Sequence, residues 1–237
     1  LTTAEIGFEN INLDKILLYG LIPSHYLSPN PEMDLKAYVN DYLKEEIQAE
    51  AIVRKLASFS KFLYYAAISN MQLINYSNIA MECGVSVKTV IDYYSILEDT
   101  LIGRTLPPWH KRKKRRLIET SKFYFFDTGI ITPLLGRKEI LKQTMEYGFA
   151  FENFIINECY AYSKKDFPLY FYKTAAGNEV DLILGDGEVA IEIKSSSSNY
   201  KIKGLLIFSE EFKPKKKIVI NTSNFKRKDG DILHIPY

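Results

Sequence analysis

The chain has 237 residues, of which 46% are hydrophobic and 25% are charged. This composition is typical of an ordered globular protein and excludes a disordered, collagen-like or disulfide-scaffold chain. The length allows two domains and part of a third, at about 100–200 residues per domain. The formal net charge is only +2, but residues 111–116 carry six positive charges, and without them the chain has 25 basic against 29 acidic residues. The sequence is therefore mildly acidic with one strongly basic segment.

Several classes of protein are excluded by what the sequence lacks. Cys83 and Cys159 match no CxxC spacing, which is typical of buried thiols in a reducing compartment. The three histidines (His25, His110 and His234) share no metal-ligand spacing. No apolar run approaches the ~18 residues of a membrane span, and the first residues do not resemble a signal peptide. No Gly-Lys dipeptide occurs, so a phosphate-binding GxxxxGK[ST] loop is absent. Because the chain begins without Met, we expect a fragment of a longer protein.

The periodicity of apolar residues predicts helices in the first part of the chain and strands in the second. The predicted elements are a short apolar helix or strand at 11–22, helices at 34–67, two short helices at 76–98, apolar runs at 101–106 and 123–126, a helix at 138–162, strands at 169–172, 180–184, 189–194 and 217–220, a mixed segment at 205–208, and an edge strand at 232–237.

Residues 76–94 have the layout of a helix-turn-helix motif. Ala80 is small enough for two helices to cross closely, Gly84 suits a turn with positive φ, and Ser86 can cap the next helix. The expected apolar side consists of Ile79, Val85, Val90 and Tyr93. This spacing resembles the helix-turn-helix family.

The two apolar runs that follow would pair as wing strands, with the basic segment between them, which predicts a winged helix. The expected nucleic-acid contacts are Lys88, Lys111, Arg112, Lys113, Lys114, Arg115 and Arg116. The exposed face of the second helix also has Asp92 and Glu98, which would repel phosphates, so we do not expect sequence-specific reading. The alternative is a small helical module with a structural or protein-binding role, in which the basic segment is a solvated loop.

Residues 179–194 predict a β-hairpin, which is the most informative part of the sequence. Asp186-Gly187 favours a two-residue turn, and a four-residue loop over 185–188 gives the same register. One face of this hairpin is aliphatic and is expected in the core: Val180 with Ile193, Leu182 with Ile191, and Leu184 with Val189. The other face has Ile183 with Ala190, Asp181 with Glu192, and Glu179 with Lys194.

The second face brings two carboxylates together. Asp181 and Glu192 would have Cβ atoms about 4.5–5.5 Å apart, and their charges repel unless a cation lies between them. A Mg²⁺ or Mn²⁺ ion with oxygen ligands would resolve the repulsion, and Lys194 would lie beside a substrate phosphate. Glu152 is off the polar stripe of its predicted helix and needs a partner, which the metal could provide. We therefore expect Glu152, Asp181 and Glu192 to bind the metal, with Lys194 completing the catalytic set.

An acid on a helix, an Asp on one strand and Glu-x-Lys on the next resemble the PD-(D/E)XK restriction-endonuclease-like superfamily. Here these residues are Glu152, Asp181 and Glu192-x-Lys194, and Val180 stands where the motif has Pro. The resemblance implies an α/β domain with a central mixed sheet and Mg²⁺-dependent cleavage of DNA. Tyr172 and Lys173 on the neighbouring strand would contact the DNA backbone.

Over about 36–198 the chain also resembles the C-terminal region of prokaryotic AAA-type ATPases, which carry a winged helix and a nuclease-like domain. The segments that carry this resemblance are YVNDYLKEEI from Tyr38, DYYSILEDT from Asp92, KFYFFDTG from Lys122, GFAFENF from Gly148, and Glu179-Val-Asp. The resemblance implies an α+β chain in three parts. They are an ATPase remnant and linker at 1–33, a helical and winged-helix domain at 34–137, and a restriction-endonuclease-like domain at 138–237.

The same resemblance implies a cytoplasmic protein that contacts DNA and forms a homo-oligomer through the full-length ATPase. ATP would bind only in the upstream domain. The sequence leaves open whether the chain is an enzyme. One alternative is a catalytically silent nucleic-acid- or partner-binding module that regulates the ATPase. Another is a purely structural oligomerisation module.

Overall fold

A computed structural model describes residues 1–42, 56–110, 120–163 and 167–237. The chain divides into two compact units. Unit 1 comprises Leu1–Thr105 and Phe123–Ile140, and unit 2 comprises Leu106–Lys122 and Leu141–Tyr237. The described residues form helices and a mixed sheet, so the expected α+β class is confirmed at this level.

Unit 1 is mainly helical. In chain order its helices are α1 (Thr3–Ile6), α2 (Leu13–Tyr19), α3 (Pro23–Tyr26), α4 (Pro31–Ala37), α5 (Leu56–Ile68), α6 (Tyr76–Cys83), α7 (Val87–Asp99) and α8 (Ile131–Leu134). Strands β1 (Gly103–Leu106) and β2 (Lys122–Phe125) pair in a two-stranded sheet, and the residues Leu106 and Lys122 at their ends belong to unit 2. The apolar core of unit 1 includes Phe59, Phe62, Leu63, Val90, Tyr94, Leu97 and Phe123.

Helices α6 and α7 are the two short helices predicted over 76–98. Gly84 ends α6 with φ 64°, in the left-handed region that glycine favours. Ser86 caps α7, because its hydroxyl accepts a hydrogen bond from Thr89 N at 3.1 Å. The predicted apolar side is confirmed, since Ile79, Val90 and Tyr93 are buried and Val85 packs against them.

One prediction for α7 is wrong. Glu98 does not lie on the exposed face, because its carboxylate accepts hydrogen bonds from Thr105 N at 2.8 Å and from Thr105 Oγ1 at 2.7 Å. Lys88 and Asp92 are exposed, as expected. The pairing of β1 with β2 agrees with two wing strands. Residues 111–119 lie outside the described residues, so the winged helix stays a prediction.

Unit 2 contains a six-stranded mixed sheet. Its elements in chain order are α9 (Met145–Tyr162), β3 (Leu169–Lys173), β4 (Glu179–Leu184), β5 (Val189–Lys194), α10 (Lys203–Phe212), β6 (Lys216–Asn221), β7 (Arg227–Asp229) and β8 (Ile232–Pro236). The strand order is β3-β4-β5-β6-β8-β7. Strand β6 is parallel to both of its neighbours, β5 and β8. The other pairs of neighbouring strands are antiparallel. The predicted hairpin, β4 and β5, therefore lies inside the sheet.

The structure corrects several predicted elements of unit 2. The mixed segment at 205–208 is part of helix α10, which packs on β4 and β5. The last strand is not an edge strand, because β8 lies between β6 and the short charged strand β7. The helix predicted from residue 138 begins at Met145, where Thr144 caps it by accepting from Tyr147 N at 3.2 Å.

Candidate functional site

The hairpin register is confirmed over three pairs. Leu182 faces Ile191, Ile183 faces Ala190 and Leu184 faces Val189, around a four-residue loop. The pairing of β4 with β5 ends at Leu182 and does not include Asp181, the preceding residue in the chain.

A β-bulge at Asp181 explains where this register ends. On the other side of β4, Tyr170 pairs with Ile183 and Tyr172 pairs with Val180. Phe171 therefore faces two residues, Asp181 and Leu182, which is the definition of a bulge. The extra residue breaks the alternation of side chains between the two faces. Bulges of this kind re-aim a side chain and are frequent beside active sites.

The bulge overturns part of the predicted face assignment. Val180 packs in the same core cluster as Ile183 and Ala190, instead of on the opposite face. Tyr172 joins that cluster and is fully buried, so it cannot contact the DNA backbone as predicted.

The carboxylate of Asp181 is fixed by the neighbouring strand. Its Oδ2 atom accepts a hydrogen bond from Ile193 N at 2.7 Å. The Asp181 side chain is thus bonded to the backbone of β5. Lys194 Nζ lies 4.0 Å from the same oxygen. The second oxygen, Oδ1, has no hydrogen bond among the described residues.

Glu192 is more deeply buried than Asp181 and Lys194, at 5% exposed. Its Oε1 atom lies 2.6 Å from Lys194 Nζ, whereas its Oε2 atom is buried and has no hydrogen-bond partner. Burial raises the pKa of Glu192, and the charge of Asp181 raises it further. A buried acceptor without a partner costs free energy, so this oxygen is a candidate position for a ligand.

A buried lysine that the sequence did not single out binds Glu152. Lys122 is 4% exposed, and its Nζ atom lies 3.0 Å from Glu152 Oε1 and 2.7 Å from Glu179 Oε1. The other oxygen of Glu179 contacts Lys173 Nζ at 2.5 Å. The predicted pair of Glu179 with Lys194 is not among the pairs that β4 and β5 form, and the Glu179 carboxylate contacts two other lysines instead. The partner that Glu152 needs is Lys122.

The pKa shifts follow from this arrangement. Burial raises the pKa of Glu152, and the nearby Lys122 opposes that effect only in part. Burial lowers the pKa of Lys122, but the charges of Glu152 and Glu179 outweigh it, and the net pKa is raised. The pKa of Lys194 is likewise raised, because the charges of Asp181 and Glu192 exceed the opposing effect of burial. Both lysines are therefore ammonium groups at neutral pH.

The structure brings together three of the four residues predicted for catalysis: Asp181, Glu192 and Lys194. Glu152 is held through Lys122, and its charge also reaches Asp181 and Glu192. Lys88 belongs to unit 1, and the basic residues 111–116 lie outside the described residues. Lys122 is the main residue that sequence reasoning missed. Its apolar neighbours at 123–126 suggested only a strand.

Carboxylate oxygens are the type of donor that a hard divalent cation requires. Across the four described ranges, no three His, Cys, Asp or Glu side chains are grouped so that they could hold a metal ion between them. Mg²⁺, however, usually binds through one or two carboxylates and completes its shell with water and substrate phosphates. Asp181 Oδ1 and Glu192 Oε2 are two such oxygens without hydrogen bonds among the described residues. These two residues would hold the ion.

No helix within the described part of the chain combines the length and the apolar character needed to cross a membrane.

Comparisons with known proteins match both parts of the chain. A family model described as "Domain of unknown function (DUF8612)" matches residues 10–140, and one described as "Domain of unknown function (DUF4143)" matches residues 147–237. Two curated relatives are the uncharacterized proteins Mb2031c of Mycobacterium bovis and Rv2008c of Mycobacterium tuberculosis. Each is 25% identical over 205 residues, which cover 84% of this chain and 46% of the relative. The chain thus spans about half the length of these relatives. No solved structure matches it.

Proposed function

The chain belongs to the family described as a domain of unknown function (DUF8612), and we propose that its second unit cleaves DNA as a Mg²⁺-dependent phosphodiesterase of the PD-(D/E)XK type. One observation carries the proposal. The bulge in β4 places Asp181 against β5, where Lys194 Nζ lies 2.6 Å from Glu192 Oε1 and 4.0 Å from Asp181 Oδ2. One ammonium group thus lies beside both acids in a partly buried cluster, and the other oxygen of each acid, Asp181 Oδ1 and Glu192 Oε2, has no hydrogen bond among the described residues.

The residues of the chain would have separate roles in this reaction. Asp181 and Glu192 would hold Mg²⁺, which when bound lowers the pKa of water and offsets charge on the phosphate. Lys194 would place an ammonium charge beside the phosphate and stabilise the charge that develops there. Because its pKa is raised, Lys194 acts as a positive charge and not as a general base at neutral pH. Lys122 would keep Glu152 and Glu179 in position without competing for the ion.

A nicking assay tests this proposal. Supercoiled plasmid would be incubated with the full chain in Mg²⁺ or Mn²⁺, with EDTA as the blank. We expect Asp181→Asn, Glu192→Gln and Lys194→Met to lower the rate at least tenfold. The matched controls are Asp186→Asn, Glu210→Gln and Lys201→Met, which change exposed residues of unit 2. If the three site variants nick as fast as the parent, the assignment is wrong.

A second candidate function is a catalytically silent module that binds nucleic acid or a partner. It is favoured by the internal pairing of Glu152 with Lys122 and of Glu192 with Lys194, which already places a cation beside each acid. This module would bind DNA without a metal, through Lys88 and the basic segment 111–116. Binding would weaken steeply with salt, would survive Asp181→Asn, and would be lost when residues 111–116 are neutralised. Mn²⁺ would then leave the melting temperature unchanged.

We also propose that the chain is the C-terminal part of a longer AAA-type ATPase. The support is the sequence resemblance over 36–198, together with the greater length of the two mycobacterial relatives, of which only 46% is covered. The prediction is a GxxxxGK[ST] loop in the coding sequence before Leu1. An upstream sequence without this loop would contradict it.

A further inference from the structure

A second polar cluster lies in unit 2, centred on the hydroxyl of Tyr200. Tyr200 OH is 2.8 Å from His234 Nδ1, 3.1 Å from Asn221 Nδ2 and 3.2 Å from Arg227 Nη2. His234 and Asn221 are buried, at 2% and 1% exposed, whereas Arg227 lies on the exposed strand β7. None of these residues takes part in the proposed metal site.

Counting donors and acceptors fixes the direction of each hydrogen bond. Asn221 Oδ1 accepts from Ser223 N at 2.8 Å, so Nδ2 is the amide atom that faces Tyr200. Asn221 and Arg227 both donate to the Tyr200 oxygen and fill its two lone pairs. The Tyr200 hydroxyl must therefore donate to His234 Nδ1, and the proton of the neutral imidazole is on Nε2. The Tyr200 hydroxyl is thus held by three hydrogen bonds, one of which comes from Arg227.

The cluster begins next to the proposed catalytic lysine. Lys194 and Asn221 are Cα partners in the parallel pair of β5 and β6, so their backbones are about 4.8 Å apart and their side chains leave the same face of the sheet. Arg227 and His234 are partners in the pair of β7 and β8. A chain of contacts therefore runs from the strand of Lys194 to Arg227 at the edge of the sheet.

An exposed aromatic ring and three cations lie at this edge. Phe225 is 66% exposed, and Lys226, Arg227 and Lys228 follow it, all exposed. Two hydrogen bonds stabilise the loop before this edge. Ser223 Oγ donates to Phe225 O at 3.1 Å, and Ser223 N donates to Asn221 Oδ1 at 2.8 Å. A large apolar ring held in water beside cations is typical of proteins that stack unpaired bases and track a phosphate backbone.

We propose that Phe225 and Arg227 form a subsite for single-stranded DNA, in which an unpaired base stacks on Phe225 and the adjacent phosphate contacts Arg227. Arg227 is oriented by Tyr200 and can still donate from its other N–H groups. The inference rests on the proposed function, because the strand would continue from this subsite to the phosphate beside Lys194. It names the substrate class as DNA with at least one unpaired nucleotide near the cleavage point.

Fluorescence anisotropy of the full chain tests this subsite without cleavage. The probes are a labelled 20-nucleotide single strand of dT and a labelled duplex of equal length, both at low salt with EDTA. Because stacking is worth about 1–3 kcal/mol per base, Phe225→Ala should weaken binding of the single strand about fivefold or more. Binding of the duplex should change less than about twofold. Arg227→Ala should weaken single-strand binding and lower its salt dependence by about one phosphate contact.

Matched controls separate the subsite from general effects. Leu206→Ala removes another exposed apolar side chain of unit 2, and Lys138→Ala removes an exposed cation of unit 1. Both should bind like the parent. The subsite is overturned if Phe225→Ala binds the single strand like the parent, or if it loses the single strand and the duplex equally. Failure of the subsite and failure of the proposed cleavage can be distinguished. Asp181→Asn should lose nicking activity but should retain the preference for a single strand in EDTA.

Discussion

Lys122 and Glu179 form an ion pair in unit 2, with 2.7 Å between Nζ and Oε1, and Lys122 is almost fully buried. The same ammonium lies 3.0 Å from Glu152 Oε1. Two partly buried acids therefore share one cation. Removing one member of such a group leaves charges in a region of low dielectric, which is more costly than the loss of a surface pair.

We expect Lys122→Met to lower the free energy of unfolding by about 3–5 kcal/mol at pH 8. Adding Glu152→Gln should recover part of the loss, because one uncompensated carboxylate is then neutral. Urea unfolding followed by circular dichroism measures both effects. The control is Lys138→Met, at an exposed position, which should stay within about 0.5 kcal/mol of the parent. A Lys122→Met variant as stable as the parent would contradict the shared-cation interpretation.

The sequence was sufficient for features that depend on local chemistry. The turn at Gly84, the cap at Ser86 and the hairpin register at Ile183 and Ala190 follow from conformational preference and alternation, and the structure confirms them. It was insufficient where distant segments decide the outcome. The bulge at Asp181 depends on the pairing of β4 with β3. Alternation within one hairpin cannot reveal a change that a third strand imposes.

Lys122 could not be predicted for a related reason. It lies at the start of a short apolar strand, at a position where a lysine would ordinarily be solvated. Only the fold shows that Glu152 from α9 and Glu179 from β4 meet its ammonium group. A usable signal would have been the surplus of acids around the hairpin, since these acids outnumber what a single metal ion and Lys194 can neutralise.

The stability of the chain should depend on pH through Glu192. Burial, together with the charge of Asp181, raises its pKa from 4.5 to about 8, so between these pH values the folded state binds more protons than the unfolded state. The free energy of unfolding therefore falls as pH rises from 4.5 through 8. In EDTA, the difference between urea midpoints at pH 5 and pH 8.5 should be smaller for Glu192→Gln than for the parent. Glu210→Gln, at an exposed carboxylate, should keep the full difference.

Two helical glycines of unit 2 should respond in opposite directions to alanine. A Cβ atom at Gly204 in α10 would lie 1.8 Å from the carbonyl oxygen of Glu179, so the helix or β4 must move. At Gly148 in α9 the nearest atom would be Ser195 Oγ, at 3.7 Å. We expect Gly204→Ala to cost about 1–3 kcal/mol and Gly148→Ala to gain about 0.5–1 kcal/mol. Thermal unfolding measures the sign. An increase in melting temperature for Gly204→Ala would show that α10 does not pack this closely.

In unit 1, a buried carboxylate fills the space beside a glycine. Asp127 is 6% exposed, and its two oxygens accept hydrogen bonds from Leu21 N at 2.6 Å and from Gly129 N at 2.8 Å. Gly20 has φ 72° and ψ −164°, a region that is almost restricted to glycine. A Cβ atom there would lie 1.6 Å from Asp127 Oδ1.

Gly20→Ala should therefore be more damaging than alanine at an unobstructed glycine with a similar φ. We expect it to lower the free energy of unfolding by about 3 kcal/mol or more, because backbone strain and the collision with Asp127 add together. The matched control is Gly84→Ala, where φ is 64° and no atom lies within 4 Å of the added Cβ. This control should cost only about 1–2 kcal/mol, from the left-handed backbone alone. Urea unfolding of both variants measures the difference, and equal losses would show that Asp127 yields to the methyl group without cost.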